Sequence, residues 1–146
     1  MFTLAREPIN VSTLSRALHG DQAGAMISFE GWVRNVNDGR AVRLLEYEAC
    51  ESLAVKEGAR IIQEAQERFS VIEASCVHRI GLLAIGECAV WVGVTAEHRD
   101  AAFAACRYIV DQLKVRLPIW KKEHYADGSV EWVNCQSDEI AEMKCL

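Results

Sequence analysis

The sequence predicts an α+β fold built mainly on antiparallel sheet, with two long helices and a hairpin near the C-terminal end. Three observations carry this reading. Several short stretches alternate apolar and polar residues or run apolar throughout, as strands do. Two longer stretches repeat apolar residues at helical spacing. Strands and helices do not alternate regularly, as a doubly wound parallel sheet would require. With 146 residues and no linker, repeat or low-complexity stretch, residues 1–146 read as one domain with its own core.

Taken in order, Ser12 to His19 reads as a short helix, with Ser12 as N-cap and Gly20 as its stop. Ala25 to Arg34 alternates, with Ile27, Phe29, Gly31 and Val33 on one face and Ser28, Glu30, Trp32 and Arg34 on the other. Asn37-Asp38-Gly39 signals a turn, and Ala41 to Glu48 reads as a second strand forming a hairpin with the first. From Ser52 to Phe69 the period changes: Ala54, Gly58, Ile61, Ala65 and Phe69 recur at helical spacing. Val71 to Ile80 and Glu87 to Thr95 read as two more strands, joined through Gly81 to Gly86. The run Cys88 to Val94 is apolar on both faces, which marks a central, buried strand.

Thr95 is the expected N-cap of the next helix, and Glu97 suits its positive end. Ala102, Cys106, Ile109 and Leu113 form its buried stripe, and Pro118 ends it at or before Leu117. Trp120 to Tyr125, the turn Asp127-Gly128 and Val130 to Val133 read as the C-terminal hairpin. The polar tail, residues 136–146, is expected to be mobile or to cover a neighbour.

No apolar run reaches the length of a membrane span, and Met1 to Pro8 lacks the features of a secretion signal, so a cytoplasmic protein is expected. The six cysteines, Cys50, Cys76, Cys88, Cys106, Cys135 and Cys145, show no CxxC pairing or zinc-ligand spacing. They read as free thiols, mostly in the core, and not as catalytic groups. A formal net charge of −5 argues against a general nucleic-acid binder. The sequence holds no GxGxxG, GxxxxGK[ST] or GxSxG motif. Yet Arg34, Arg40, Arg43, His98, Arg99, Lys114, Arg116, Lys121 and Lys122 fall in or beside a few short segments, which suggests a small anionic ligand.

Lys114 stands in the last turn of a helix, and Lys121 follows the Pro118 break. A lysine near other cations or in a dry pocket can lose its proton readily and act as nucleophile or base. The alternative is structural: Lys114 complements the helix dipole and pairs with Asp111. His98 and Arg99, at the start of the same helix, either form an anion site with the free backbone N–H groups or are solvated. Arg34, closing a strand, either clamps a phosphate bidentately or is solvated. His78 and Arg79 lie mid-strand and read as structural. Glu46 and Glu48 share a strand face, where they either do acid–base work or partner arginines such as Arg34.

Five segments, in this order, carry a resemblance over residues 24–132: Phe29 to Asn35 (FEGWVRN), Leu45 to Ala49 (LEYEA), His78 to Gly81 (HRIG), Val92 to Arg99 (VGVTAEHR) and Lys114 to Glu123 (KVRLPIWKKE). Together they resemble the large, catalytic subunit family of molybdopterin synthase. The resemblance implies an α/β-hammerhead fold and a sulfurtransferase that works without metal or organic cofactor of its own. It implies a homodimer, each copy bound to a small ubiquitin-like subunit whose Gly-Gly C-terminus carries a thiocarboxylate. It also implies that this sulfur goes to cyclic pyranopterin monophosphate (precursor Z), giving the dithiolene of molybdopterin. Lys114 and Lys121 match the family's catalytic lysines, and Arg34, His98 and Arg99 match the pocket for the substrate phosphate. The competing readings are a non-catalytic binding module for a ubiquitin-like tail and a sensor of a phosphate ligand.

Overall fold

The computed structural model describes residues 1–133; the tail expectation and those for Cys135 and Cys145 lie outside the described residues. Among the described residues the architecture is α+β, with two mainly antiparallel sheets and three helices. The first sheet runs in the order β1 (Phe2–Ala5), β5 (Val71–Arg79), β7 (Cys88–Ala96), β2 (Ala25–Trp32). Its one parallel pair is β1 with β5. In the second, β4 (Arg40–Ala49) lies beside β8 (Ile119–Tyr125), with β9 (Val130–Val133) beyond β8. The short strands β3 (Val36–Asn37) and β6 (Gly81–Ala84) both pair with β4.

Strand β7 is the centre of the first sheet, as its two-faced apolar sequence predicts. Residues 91–96 are all buried. On one face lie two 18-residue helices, α2 (Glu51–Arg68) and α3 (Arg99–Arg116). They bring Ile61, Ile62 and Ala65, and Ala102, Ile109 and Leu113, against Cys76, Val92 and Val94. Arg116 ties the two helices: its Nε donates to Glu57 at 2.8 Å and its Nη2 to Glu64 at 3.0 Å. Arg116 and the Tyr108 hydroxyl together hold the Glu64 carboxyl down to about 2. This arginine is therefore a clamp between helices and no part of an anion site.

Three local expectations are corrected. The short helix α1 (Val11–Leu18) is capped by Asn10, not Ser12, because the Asn10 side chain accepts from the Thr13 N–H at 3.0 Å. Thr95 caps no helix. It stays in the β7 ladder, opposite both Met26 and Glu73, and α3 begins only after His98. The expected hairpin between the strands at Ala25 and Ala41 does not form. β2 pairs with β7 instead, and the chain crosses to the second sheet after Trp32. The Asp38-Gly39 turn, with φ of 48° and 76°, closes a smaller hairpin between β3 and β4. The C-terminal hairpin forms as expected, with Gly128 at φ 89°.

The thiol reading holds for Cys76 and Cys106, free and buried, and for Cys88, free and half-buried. Cys50 departs from it, being disulfide-bonded. Among the described residues no helix is long and apolar enough to cross a membrane, and no cluster of His, Cys, Asp and Glu could hold a metal ion.

Gly58 shows how β1 is fixed. A Cβ there would lie 2.3–2.5 Å from the Phe2 ring. Gly58→Ala is therefore expected to destabilise by about 1–3 kcal/mol through overpacking, outweighing the roughly 1 kcal/mol of helix propensity gained. In a Phe2→Ala background the sign should reverse, which paired urea titrations would show.

Candidate active site

The break at Pro118 makes the site. Pro118 drives Leu117 to extended backbone (φ −70°, ψ 130°), so α3 ends and β8 starts within three residues. Lys114, in the last helical turn, and Lys121, early in β8, consequently face one pocket of about 290 Å³. Its walls are largely apolar and include Phe29, Trp32, Val90, Leu113 and Ile119, with Tyr47 and His78 as further polar lining. The pocket lies where the two sheets meet. Trp32 is 65% exposed at its rim and donates from Nε1 to Glu30 at 3.2 Å.

Of the structural reading of Lys114, the place in the last helical turn holds and the pairing with Asp111 does not. Asp111 pairs with Arg107 at 3.4 Å, and among the described residues Lys114 makes no ion pair. Lys114 as a residue is exposed. Lys121 is half-buried, 27% exposed, and sits 3.9 Å from Glu123. Burial pushes the Lys121 ammonium below the ordinary lysine range, Glu123 opposes this, and Arg34 and Lys114 lower it further. Arg34, exposed just past the end of β2, thus belongs electrostatically to the two lysines. Glu123 is itself buried and accepts from the Asn37 amide at 3.1 Å.

His98 and Arg99 are elsewhere. Both are exposed at the N-terminal end of α3, where His98 occupies the N-cap position without a capping side-chain bond. Sixteen residues of rise separate His98 from Lys114, about 24 Å. The predicted site residues therefore form two cationic groups: Arg34, Lys114 and Lys121 at one end of α3, His98 and Arg99 at the other.

Other charged residues have structural partners. Arg40 bonds Glu131 at 2.9 Å and Ser129 at 2.7 Å and lies over the Tyr125 ring. Lys122 lies over Trp132, 5.0 Å from the ring centroid. Glu46 meets His124 at 3.3 Å and does not partner Arg34. Arg79 is buried in an ion pair with Glu87 at 3.2 Å, the structural role expected of it. Its neighbour His78 is different, because it lines the pocket. Tyr47, too, goes unmarked in the sequence, where it reads as one more strand residue. The available signal was strand parity: within β4, Tyr47 stands between the outward Glu46 and Glu48.

The family model described as "MoaE protein" matches residues 4–116. A relative from Thermoplasma volcanium named "Molybdopterin synthase catalytic subunit" is 40% identical over 129 residues, 88% of this chain and 94% of that protein. Among solved structures, molybdopterin synthase from Staphylococcus aureus matches with TM-score 0.84 and 36% identity, covering 90% of this chain and 95% of that one. A chain in the complex of subunits 1 and 2 of the molybdopterin-converting factor from Helicobacter pylori shares the fold, with TM-score 0.76 at 18% identity, covering 93% and 92%.

The shared pocket predicts coupled titration. Lys114→Ala should raise the pKa of Lys121 by removing a like charge, and Glu123→Gln should lower it by removing an opposite one. NMR titration of protein labelled at the lysine side chains measures both. A Lys121 that responds to neither substitution would show that these groups do not share a field.

Proposed function

The chain belongs to the MoaE protein family of molybdopterin synthase catalytic subunits, enzymes of molybdenum cofactor biosynthesis, and we propose that Lys114 and Lys121 carry its sulfur transfer. The observation behind this is that Lys114 and Lys121 line one apolar-walled pocket, with Arg34 close enough to act electrostatically on Lys121. Such a pocket suits an extended peptide end that finishes in an anion. In the proposed reaction that anion is the C-terminal thiocarboxylate of a small ubiquitin-like subunit, and the acceptor is cyclic pyranopterin monophosphate. The name of the Helicobacter pylori complex, which joins two subunits, supports a small protein partner.

The residue types fit the chemistry. Two ammonium groups hold the thiocarboxylate against an electrophilic carbon and neutralise the charge that develops on departing oxygen. Attack by sulfur leaves the acyl group on the transferred sulfur, a thioester. Water then releases the partner's carboxylate and leaves the sulfur on the pterin. A partly dehydrated lysine such as Lys121 can deliver a proton during these steps.

The substrate phosphate is assigned to Arg34, His98 and Arg99. No single copy can bring all five residues together, because α3 holds its two ends about 24 Å apart. The proposed site therefore combines Arg34, Lys114 and Lys121 of one copy with His98 and Arg99 of a second, in a two-fold homodimer. Supporting this, β2 is an edge strand of its sheet, and Phe103 beside it on α3 is 58% exposed. A binding module for the partner's tail would keep the lysines but make no product. Incubation with thiocarboxylated partner and precursor Z separates the two readings, since an enzyme alone makes the dithiolene.

Two predictions follow from this geometry. Lys114→Ala and Lys121→Ala should each remove most turnover while leaving the melting temperature nearly unchanged, since both side chains are at least partly exposed. Normal turnover in either folded variant would end the assignment. Second, mixing inactive Lys114→Ala with inactive Arg99→Ala under subunit exchange should return about a quarter of wild-type activity. Half the dimers become mixed, and each mixed dimer keeps one intact pocket of two. No recovery despite demonstrated exchange would rule out the shared site.

A further inference from the structure

One polar group in the pocket has no task in the scheme above. His78 stands on β5, opposite Val90 of β7 and Leu4 of β1, so its backbone is fixed in the middle of the first sheet. Its ring meets Tyr47 edge-on, with centroids 5.0 Å apart and planes at 87°. Its Nδ1 lies 2.7 Å from the Arg79 carbonyl oxygen. A carbonyl can only accept, so Nδ1 carries the hydrogen, and Nε2 of the neutral ring is left with the lone pair. Among the described residues Nε2 has no hydrogen-bond partner, and the ring lines the pocket that holds Lys114 and Lys121.

His78 is half-buried, so this lone pair is open to an occupant of the pocket that donates, such as water. The other polar side chains lining the pocket are donors in their resting forms. The lysine ammonium groups cannot accept, and burial and Glu123 push the Tyr47 hydroxyl up to about 12, so it keeps its proton. Glu123, nearby, does not line the pocket and is engaged by Asn37 and Lys121.

We propose that His78 is a catalytic residue of this pocket, whose Nε2 takes the proton from the water that hydrolyses the acyl–sulfur intermediate. The proposal rests on the sulfur-transfer reading. In this step the water oxygen bonds to the acyl carbon and the carbon–sulfur bond breaks, its electron pair leaving with the sulfur on the pterin. One water proton passes to Nε2 and from there to the departing thiolate. The other stays on the new carboxyl group, which ionises to solvent. Burial supports the role, pushing the ring's pKa down to about 4, so that it holds its lone pair at neutral pH. A base this weak works as a carboxylate does, by position rather than by strength.

The test uses the full chain with its thiocarboxylated small partner and precursor Z, in single turnover, quenched in acid and read by intact-protein mass spectrometry. His78→Phe keeps a ring against Tyr47 and deletes the lone pair. It should slow dithiolene formation by about a hundredfold or more. In the same samples a covalent adduct of partner and pterin should accumulate, and neutral hydroxylamine should discharge it as a thioester. His78→Gln, which is polar but has no basic nitrogen, should accumulate the same adduct and serves if the phenylalanine variant does not fold. A merely structural histidine would lower turnover without adduct, and that result, or unchanged turnover, overturns the proposal. If unaltered protein yields neither product nor adduct, the sulfur-transfer reading itself fails, and this role with it.

Discussion

The site depends on one covalent constraint, the proline at position 118. Without a backbone N–H, and with a ring that disfavours helix at Leu117, Pro118 forces α3 to stop one turn after Lys114. The chain then enters β8 at once, and the Cys50 N–H donates to the Pro118 carbonyl at 3.1 Å, fixing the corner against the start of α2. Lys114 and Lys121 are seven residues apart, yet one belongs to a helix packed on the first sheet and the other to a strand of the second. A continuous helix over this span would also put them on one face, but with no second sheet to wall the pocket. The break converts sequence proximity into a cavity.

Around that corner the charges divide cleanly by environment. Arg40, Arg79 and Arg116 each meet a carboxylate and hold backbone segments together. Among the described residues Arg34 and Lys114 stay exposed without an ion pair, and Lys121 is half-buried beside a carboxylate already engaged elsewhere. A cation kept from full neutralisation beside an apolar wall gains more from an incoming anion than one already paired. The same residue type thus serves two purposes, and its carboxylate neighbours decide which.

Much of this was legible in the sequence, for physical reasons that can be named. The C-terminal hairpin, the two long helices and central β7 follow from period, turn chemistry and two-faced hydrophobicity, all local properties. Lys114 and Lys121 were legible because they flank a proline. The partner of β2 was not, because pairing with β7 spans some sixty residues, and no local pattern distinguishes it from a hairpin with β4. Nor was the start of α3, since Thr95 is an excellent cap by type and is claimed instead by two neighbouring strands. His78 read as structural because a strand residue's access to a cavity is set by elements remote in sequence, here Tyr47 and the end of α3.

The seam between the sheets has a mechanical side. Among the described residues the larger core, between α2, α3 and the first sheet, gathers fourteen buried residues, whereas the one joining β4 and β6 to β7 holds four, Val33, Leu45, Leu83 and Ala89, with Tyr47 against them. The pocket is bounded by that lighter joint, and local opening is easiest where apolar burial is least. On warming, the two sheets should part slightly while the helices remain packed. The cleft that holds Lys114 and Lys121 would then widen before the body of the protein melts, and the thermal ceiling of the enzyme would be set by this hinge.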